Sequence, residues 1–208
     1  SMSLLVRPAD KIKLSVIDYL LKRYPDVVIG SEVMYGTSRR MVDLLALYRG
    51  ETYAIEIKSE RDSTRRLASQ LREYALIFDY TIVFTHSKYV ASVITLSKSK
   101  AAVFEVTDCE VIMRTSLKRN RPTKLEMAHS VSTSFLKAYV LKGKKQGSSH
   151  DIRTRIIRDY KREEIHQMLY DFLSERLTNR FNLYLKEREE QSYDDLSLLS
   201  AQLNVGPI

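Results

Sequence analysis

Apolar residues follow two different spacings in the first third of the chain. Between residues 9 and 24 they recur three or four positions apart, as on one face of an amphipathic helix, and Pro25 ends the run. Between residues 27 and 58 the runs are shorter and rich in β-branched residues, which is typical of strands. The pattern predicts a helix over 9–24, strands over 27–34, 41–48 and 52–58, a helix over 64–78 and a strand over 80–85.

The turns between these elements suggest how they connect. Arg49-Gly50-Glu51 is a tight turn, so the second and third strands are expected to form a hairpin. Asp62 or Ser63 is the predicted N-cap of the second helix. The strand over 80–85 is short and apolar, as expected for a central strand parallel to an earlier one. A helix over 88–98 and strands over 101–106 and 111–115 follow. The order α-β-β-β-α-β predicts an α/β fold.

A charged, proline-containing segment, residues 118–122, separates this region from a helical one. Helical periodicity covers residues 125–141, and again residues 151–190, as one long helix or two shorter ones. We therefore predict a core over 1–118 and a basic helical extension over 119–208.

Positive charge is concentrated in one part of the chain. The protein has 208 residues, 44% of them hydrophobic, which suffices for a core, and its net charge is +8. Residues 113–162 contain 14 Lys and Arg against 3 Asp and Glu. Such a segment attracts phosphates, so it favours nucleic acid as a partner, although a solvated basic surface gives the same composition.

Two further features bear on location. Cys109 is the single cysteine, which excludes a disulfide within the chain and argues against a thiolate zinc site. The sequence has neither an apolar run of membrane-spanning length nor a signal-peptide pattern. We therefore expect a cytoplasmic protein without a membrane partner.

Three charged residues interrupt the apolar strands. Asp43 lies within the run 41–48, and Glu56 and Lys58 are two apart in the next strand, so their side chains share a face. A buried carboxylate is costly unless it is paired or binds a metal. Two carboxylates with a strand carbonyl form a hard oxygen site suited to Mg²⁺ or Mn²⁺. Such a site can activate water for phosphodiester hydrolysis, while the lysine orients that water or offsets transition-state charge.

The ordered set of Asp43, Glu56 and Lys58 resembles the PD-(D/E)XK nuclease superfamily over roughly residues 10–85. The resemblance implies a restriction-endonuclease-like core, a mixed central sheet flanked by helices, here with an α-helical C-terminal extension. Asp43 matches the first acidic position, and Glu56 and Lys58 match the (D/E)XK element. Val42 stands where the motif has proline, a frequent departure. The stretch 56–74 also looks like a group of small bacterial members.

The resemblance assigns roles to further residues. Gln70 and Tyr74 have the Gln-x-x-x-Tyr spacing of RecB-like and NucS-like members, in which they line the site and contact the substrate. Glu32 matches an additional acidic residue near the metal, and the carbonyl of Ile57 completes the expected ligand set.

Several of these residues also fit structural roles. Glu56 and Lys58 could be an ion pair on an exposed sheet, and Tyr74 could belong to the core. Arg40 and Arg66 could bind substrate phosphates or simply be solvated. The C-terminal helices could clamp nucleic acid or form a homodimer, through the apolar side chains of Tyr160, Leu169, Phe172 and Leu173.

The favoured function is Mg²⁺-dependent hydrolysis of phosphodiester bonds in DNA. Gln70 would orient Lys58 or the substrate backbone in such an enzyme. A catalytically silent module that binds nucleic acid or serves in an assembly is the alternative on the same fold. An enzyme directed at RNA is a weaker third expectation.

Overall fold

The structure is a computed structural model that describes residues 7–140, 149–188 and 199. Its helices are α1 (Pro8–Arg23), α2 (Leu67–Ala75), α3 (Val90–Ser97), α4 (Lys124–His129), α5 (Thr133–Val140), α6 (Ser149–Asp159) and α7 (Arg162–Glu187). Its strands are β1 (Val28–Tyr35), β2 (Arg40–Tyr48), β3 (Glu51–Lys58), β4 (Tyr80–His86), β5 (Ala102–Val106) and β6 (Val111–Met113).

All six strands belong to one mixed sheet in which spatial order follows chain order. The pairs β1–β2 and β2–β3 are antiparallel, β3–β4 and β4–β5 are parallel, and β5–β6 is antiparallel. The two parallel connections run through α2 and α3, because parallel neighbours need a crossover. The predicted α/β fold, the hairpin and the parallel strand after the second helix are confirmed.

Each face of the sheet is covered by its own apolar core. On one face α1 packs against the sheet, with Ile17 and Ile55 among the fully buried side chains. The opposite face carries α2 and the C-terminal helices, with Leu67, Tyr74 and Leu169 in its core. Burial on both sides explains why the central strands are apolar almost throughout.

Two details of the predicted helices are wrong. The helix predicted over 125–141 is interrupted between α4 and α5, where the buried Arg153 donates to the carbonyls of Ala128 and Val131 at 3.2 and 2.9 Å. Neither Asp62 nor Ser63 caps α2, which begins at Leu67. Both instead stabilise the preceding turns: Asp62 accepts from the N–H of Ser59 and Ser63 from that of Arg65.

The C-terminal helices pack against the sheet. Helix α7 crosses β1 so closely that a Cβ at Gly30 would lie 2.6 Å from Leu177 Cδ2. Leu169, Phe172 and Leu173 are buried in the chain's own core, so these three side chains offer no free surface for a second copy. The domain boundary at residue 118 and a homodimer stay predictions. No helix in the described part of the chain is both long and apolar enough to cross a bilayer.

A hydrogen-bonded ion pair between His166 and Asp79 links α7 to the end of the sheet at which β3 and β4 begin. Asp79, immediately before β4, accepts from the N–H of Thr52 at 2.8 Å and contacts His166 Nε2 at 2.8 Å. The bond to His166 and those from Thr52 outweigh burial and lower the pKa of Asp79. Asp79 in turn raises the pKa of His166 above 6.5, assisted by Glu51 and opposed by burial and Arg119.

The first prediction concerns His166→Gln, which keeps a donor but removes the charge. Because the pKa of His166 is raised, its contribution is complete below about pH 6.5 and is lost as the pH rises through the raised value. Asp79 stays ionised throughout this range. We expect the free energy of unfolding to fall by about 1–2 kcal/mol at pH 5.5, and by less at pH 9. Urea titrations at both values measure this, with the exposed His150→Gln as the control; an equal loss at both pH values would contradict it.

Candidate active site

The site lies where β2 and β3 separate. Their antiparallel ladder ends with the pair Leu44–Ile55. Beyond it, Asp43 Oδ2 accepts a hydrogen bond from the N–H of Ile57 at 2.8 Å. The half-buried carboxylate therefore replaces a carbonyl as the acceptor for this strand amide, and this fixes Asp43 beside the end of β3.

Glu56 and Lys58 project from β3 toward this carboxylate. Glu56 lies close enough to Asp43 for the two carboxylates to interact, and its Oε1 lies 3.6 Å from Lys58 Nζ. Tyr74 of α2 donates its hydroxyl to Glu56 Oε2 at 2.6 Å. The structure thus brings Asp43, Glu56 and Lys58 together at one point, and it gives Glu56 a second anchor on the following helix.

The two carboxylates lie in an environment that disfavours negative charge. Glu56 is only 4% exposed, and burial, followed by the charge of Asp43, raises its pKa to about 8 despite the opposing Tyr74 and Lys58. Burial also raises the pKa of Asp43, against the Ile57 N–H and the charge of Lys13. A bound cation would offset these effects of burial and charge, because it favours the ionised form of both carboxylates.

A second lysine, absent from the predicted site, approaches Asp43 from α1. Lys13 is 9% exposed and donates to Ser31 Oγ at 3.0 Å. Ser31 Oγ lies 3.4 Å from the carbonyl oxygen of Asp43. The sequence contained a signal for this residue, since Lys13 shares the buried face of the helix with Ile17, four positions later.

Glu32 lies opposite Asp43 but does not join the carboxylates. The β1–β2 register pairs Ser31 with Leu44 and Val33 with Val42, which leaves Glu32 across from Asp43. Glu32 is exposed and adopts a left-handed conformation with φ 53°. Among the residues that the structure describes, no three His, Cys, Asp or Glu side chains are arranged to hold a metal. A ligand role for Glu32 stays a prediction, as does one for the carbonyl of Ile57.

At Glu32, where the backbone is left-handed, the side chains of the β1–β2 hairpin change the face of the sheet on which they pack. Before it, Ile29 packs in the core beneath α1, whereas Val33 packs in the opposite core. Regular alternation would put these residues on the same face. On β2, Leu44 and Val42 switch cores in the same way. Asp43 is therefore positioned at a twist of the hairpin that no periodicity could predict.

Gln70 and Tyr74 occupy one face of α2, a single turn apart. Gln70 Oε1 is buried and has no hydrogen-bond partner within the described residues. Tyr74 is fully buried and bonded to Glu56, so in this structure it orients a carboxylate and is not open to a substrate. Both side chains stand on the helix that faces the site, as the sequence suggested.

The two arginines predicted to contact substrate lie outside this cluster. Arg40, at the start of β2, is exposed and lies 3.5 Å from Glu73. Arg66 is exposed immediately before α2. Neither forms an ion pair with Asp43 or Glu56, so their proposed contact with phosphates stays a prediction.

The donor set suits a hard divalent cation. Asp43 and Glu56 present carboxylate oxygens at one point, and Gln70 has an unpartnered buried oxygen on the adjoining helix. Mg²⁺ in proteins is commonly held by one or two carboxylates, with water and substrate phosphate in the remaining positions. The absence of a third acidic ligand from the described cluster is compatible with that mode of binding.

Comparison with known proteins gives a family but no activity. The sequence model of the family described as Bacteriophage P4 protein cII matches residues 4–200. The chain belongs to this family. No curated protein matches this P4 cII family member significantly. It is similar to the SPO1766 protein of unknown function from Silicibacter pomeroyi, with 14% identity and a TM-score of 0.47, over 74% of this chain and 93% of the other.

The second prediction concerns Glu56→Gln in metal-free protein. The pKa of Glu56 is about 8 when folded and near 4.5 when unfolded, so stability should decrease as the pH rises between these values. The variant does not lose stability in this way, because glutamine does not ionise. It should be more stable than the parent by roughly 3–5 kcal/mol at pH 9 and nearly equal to it at pH 4.

Denaturant titrations in EDTA at the two pH values test this expectation. Glu60→Gln is the matched control, because Glu60 is exposed just beyond β3. A variant that is less stable than the parent at pH 9 would contradict the prediction, because it would show that ionisation of Glu56 does not destabilise the folded protein.

Proposed function

We propose that this P4 cII family member is a Mg²⁺- or Mn²⁺-dependent deoxyribonuclease with a restriction-endonuclease-like core. The supporting observation is that Asp43, Glu56 and Lys58 meet where β2 and β3 part, with Asp43 held by the Ile57 amide and Glu56 beside Lys58. Burial, followed by the charge of Asp43, raises the pKa of Glu56 to about 8, and shifted pKa values of this kind are common at functional sites.

Asp43 and Glu56 would hold the cation, assisted by the carbonyl of Ile57, and water or substrate oxygens would complete the ligand set. When bound, the cation would supply positive charge to the scissile phosphate and make water a stronger nucleophile near neutral pH. Asp43 is fixed by the Ile57 amide and Glu56 by the Tyr74 hydroxyl, so the two carboxylates are preorganised.

Lys58 would hold the attacking water and offset the charge that develops on the phosphate. Its ammonium group lies within reach of Glu56 Oε1, at 3.6 Å. Gln70, whose buried Oε1 has no hydrogen-bond partner among the described residues, would orient Lys58 or the substrate backbone. Lys13 stabilises the ionised form of Asp43 from the other side of the sheet.

Nucleic acid is the favoured substrate because phosphodiester hydrolysis matches both the donor set and the charge of the chain. The net charge of +8, concentrated in residues 113–162, favours a polyanion. DNA is proposed over RNA on the resemblance to PD-(D/E)XK nucleases.

The third prediction is metal-dependent DNA cleavage that requires the cluster. Asp43→Ala should remove a ligand and Lys58→Ala the water-positioning charge, and each should lower the cleavage rate by about a hundredfold or more. The assay uses single-stranded, duplex, flapped and branched DNA with Mg²⁺ or Mn²⁺, beside RNA of the same sequence.

A second acidic-x-Lys motif in the chain provides the control. Asp159-Tyr160-Lys161 repeats the spacing of Glu56 and Lys58, but it lies at the junction of α6 and α7, where Asp159 pairs with Arg158. Asp159→Ala should cleave like the parent protein. Cleavage that survives Asp43→Ala would come from a contaminant or from another site, and would end the proposal.

The alternative is a catalytically silent module that binds nucleic acid or serves in an assembly. One observation favours it: Glu56 and Lys58 are only 4% and 9% exposed, so the centre is nearly closed to a substrate in this arrangement. If the protein binds DNA and cuts none of the substrates with either metal, the silent module is the better account.

A further inference from the structure

A cavity of about 380 Å³ lies at the opposite end of the sheet from the carboxylates. Its walls are the segment 119–122 and the first turns of α7, and they include Arg119, Arg121, Arg162, Asp79 and His166. Its volume falls within the range of about 300–1,000 Å³ that is typical of small-ligand sites.

One wall of the cavity is firmly attached to the sheet. The N–H of Asn120 donates to the carbonyl of Asp79 at 2.7 Å, and its side-chain amide donates to Phe78 O and Thr81 Oγ1, both at 3.0 Å. Thr123 closes the segment by donating its N–H to Leu76 O at 2.9 Å. The arginines on either side of Asn120 are therefore carried by a fixed backbone.

The cavity has an excess of positive charge. Arg119 pairs with Glu51 and stacks over Tyr80, whereas the side chains of Arg121 and Arg162 make no hydrogen bond or ion pair with any residue that the structure describes. His166 is held by Asp79, which raises the pKa of the imidazole and favours its charged form.

Two carboxylates oppose these cations on the cavity walls. Asp79 is occupied by His166 and by two donors of Thr52, which leaves Glu163 as the acidic lining residue without such bonds. The two free guanidinium groups and the imidazolium therefore outweigh the remaining negative charge. An anion with several oxygens is the ligand that such a set fits best.

The cavity also accounts for part of the basic segment. Arg119, Arg121 and Arg162 all come from residues 113–162, although up to 43 positions separate them in sequence. The sheet places them far from the proposed catalytic centre. Thr52, bonded to Asp79, and Lys58 stand at opposite ends of β3, about 20 Å apart for six residues of strand.

We propose that this cavity is a phosphate-binding site that holds a backbone phosphate of a nucleic-acid strand, remote from Asp43 and Glu56. Arg121 and Arg162 bind the phosphate oxygens, and the imidazolium of His166 adds positive charge to the cavity wall. A free phosphate compound has the same chemistry, so the experiment has separate arms for the two sources. The site goes beyond the proposed function, because binding there requires neither the metal nor cleavage.

The test measures binding of a fluorescent single-stranded DNA to the full-length protein in EDTA, by anisotropy over a range of salt concentrations. Arg121→Gln and Arg162→Gln should each weaken binding about fivefold and reduce the slope of log K against log [salt] by roughly 0.7–0.9. Arg158→Gln is the matched control, since it removes the same charge from the same segment outside the cavity. Arg121 and Arg162 are exposed, so their variants should have the same thermal unfolding temperature as the parent.

The second arm uses inorganic pyrophosphate, titrated into ¹⁵N-labelled protein and into the DNA complex. Shifts confined to the amides of 119–121 and 162–167, lost in Arg162→Gln, support the site. If those shifts occur while DNA affinity is unchanged in both arginine variants, the phosphate source is a free compound. Equal loss of DNA affinity in Arg158→Gln and the cavity variants, with no pyrophosphate shifts, would overturn the proposal. These binding measurements are made without metal and do not depend on cleavage, so a negative nuclease assay would not change their outcome.

Discussion

The hydrogen bond from the Ile57 amide to the carboxylate of Asp43 determines how the candidate site is built. It lies where the β2–β3 ladder stops, so it satisfies an amide that would otherwise be unpaired inside the protein. It also holds Asp43 beside Glu56, whose own position is set by Tyr74. Two strands and one helix thereby direct carboxylate oxygens to one point, and a change at any of the three would disturb the others.

The cost of that arrangement is electrostatic. Burial raises the pKa of both carboxylates, the charge of Asp43 raises that of Glu56 further, and Lys58 and Lys13 only partly compensate. A divalent cation would compensate more fully than either lysine. The same chain places its excess arginines at the other end of β3, beside the Asp79–His166 pair. The sheet thus separates an acidic centre from a basic cavity, in a way that suits one polyanionic ligand contacting both.

The sequence predicted the sheet and the meeting of Asp43, Glu56 and Lys58, because strand alternation and a short turn are local properties. It placed Gln70 and Tyr74 on the correct helix for the same reason. It missed Lys13, because a long side chain on an apolar helical face does not reveal what lies across the sheet. It missed the break after α4 and the change of face at Glu32, since both depend on partners distant in sequence. The grouping of Arg119, Arg121 and Arg162 likewise requires the fold.

The central claim is that Asp43 and Glu56 form a binding site for a divalent cation. Titration of Mn²⁺, followed by electron paramagnetic resonance of the free ion, counts bound metal without any need for catalysis. The account predicts one site in the parent protein at pH 8, lost in Asp43→Asn and in Glu56→Gln, and retained in Asp159→Asn. Failure of the parent to bind Mn²⁺ at millimolar concentration, or unchanged binding in both cluster variants, would contradict it.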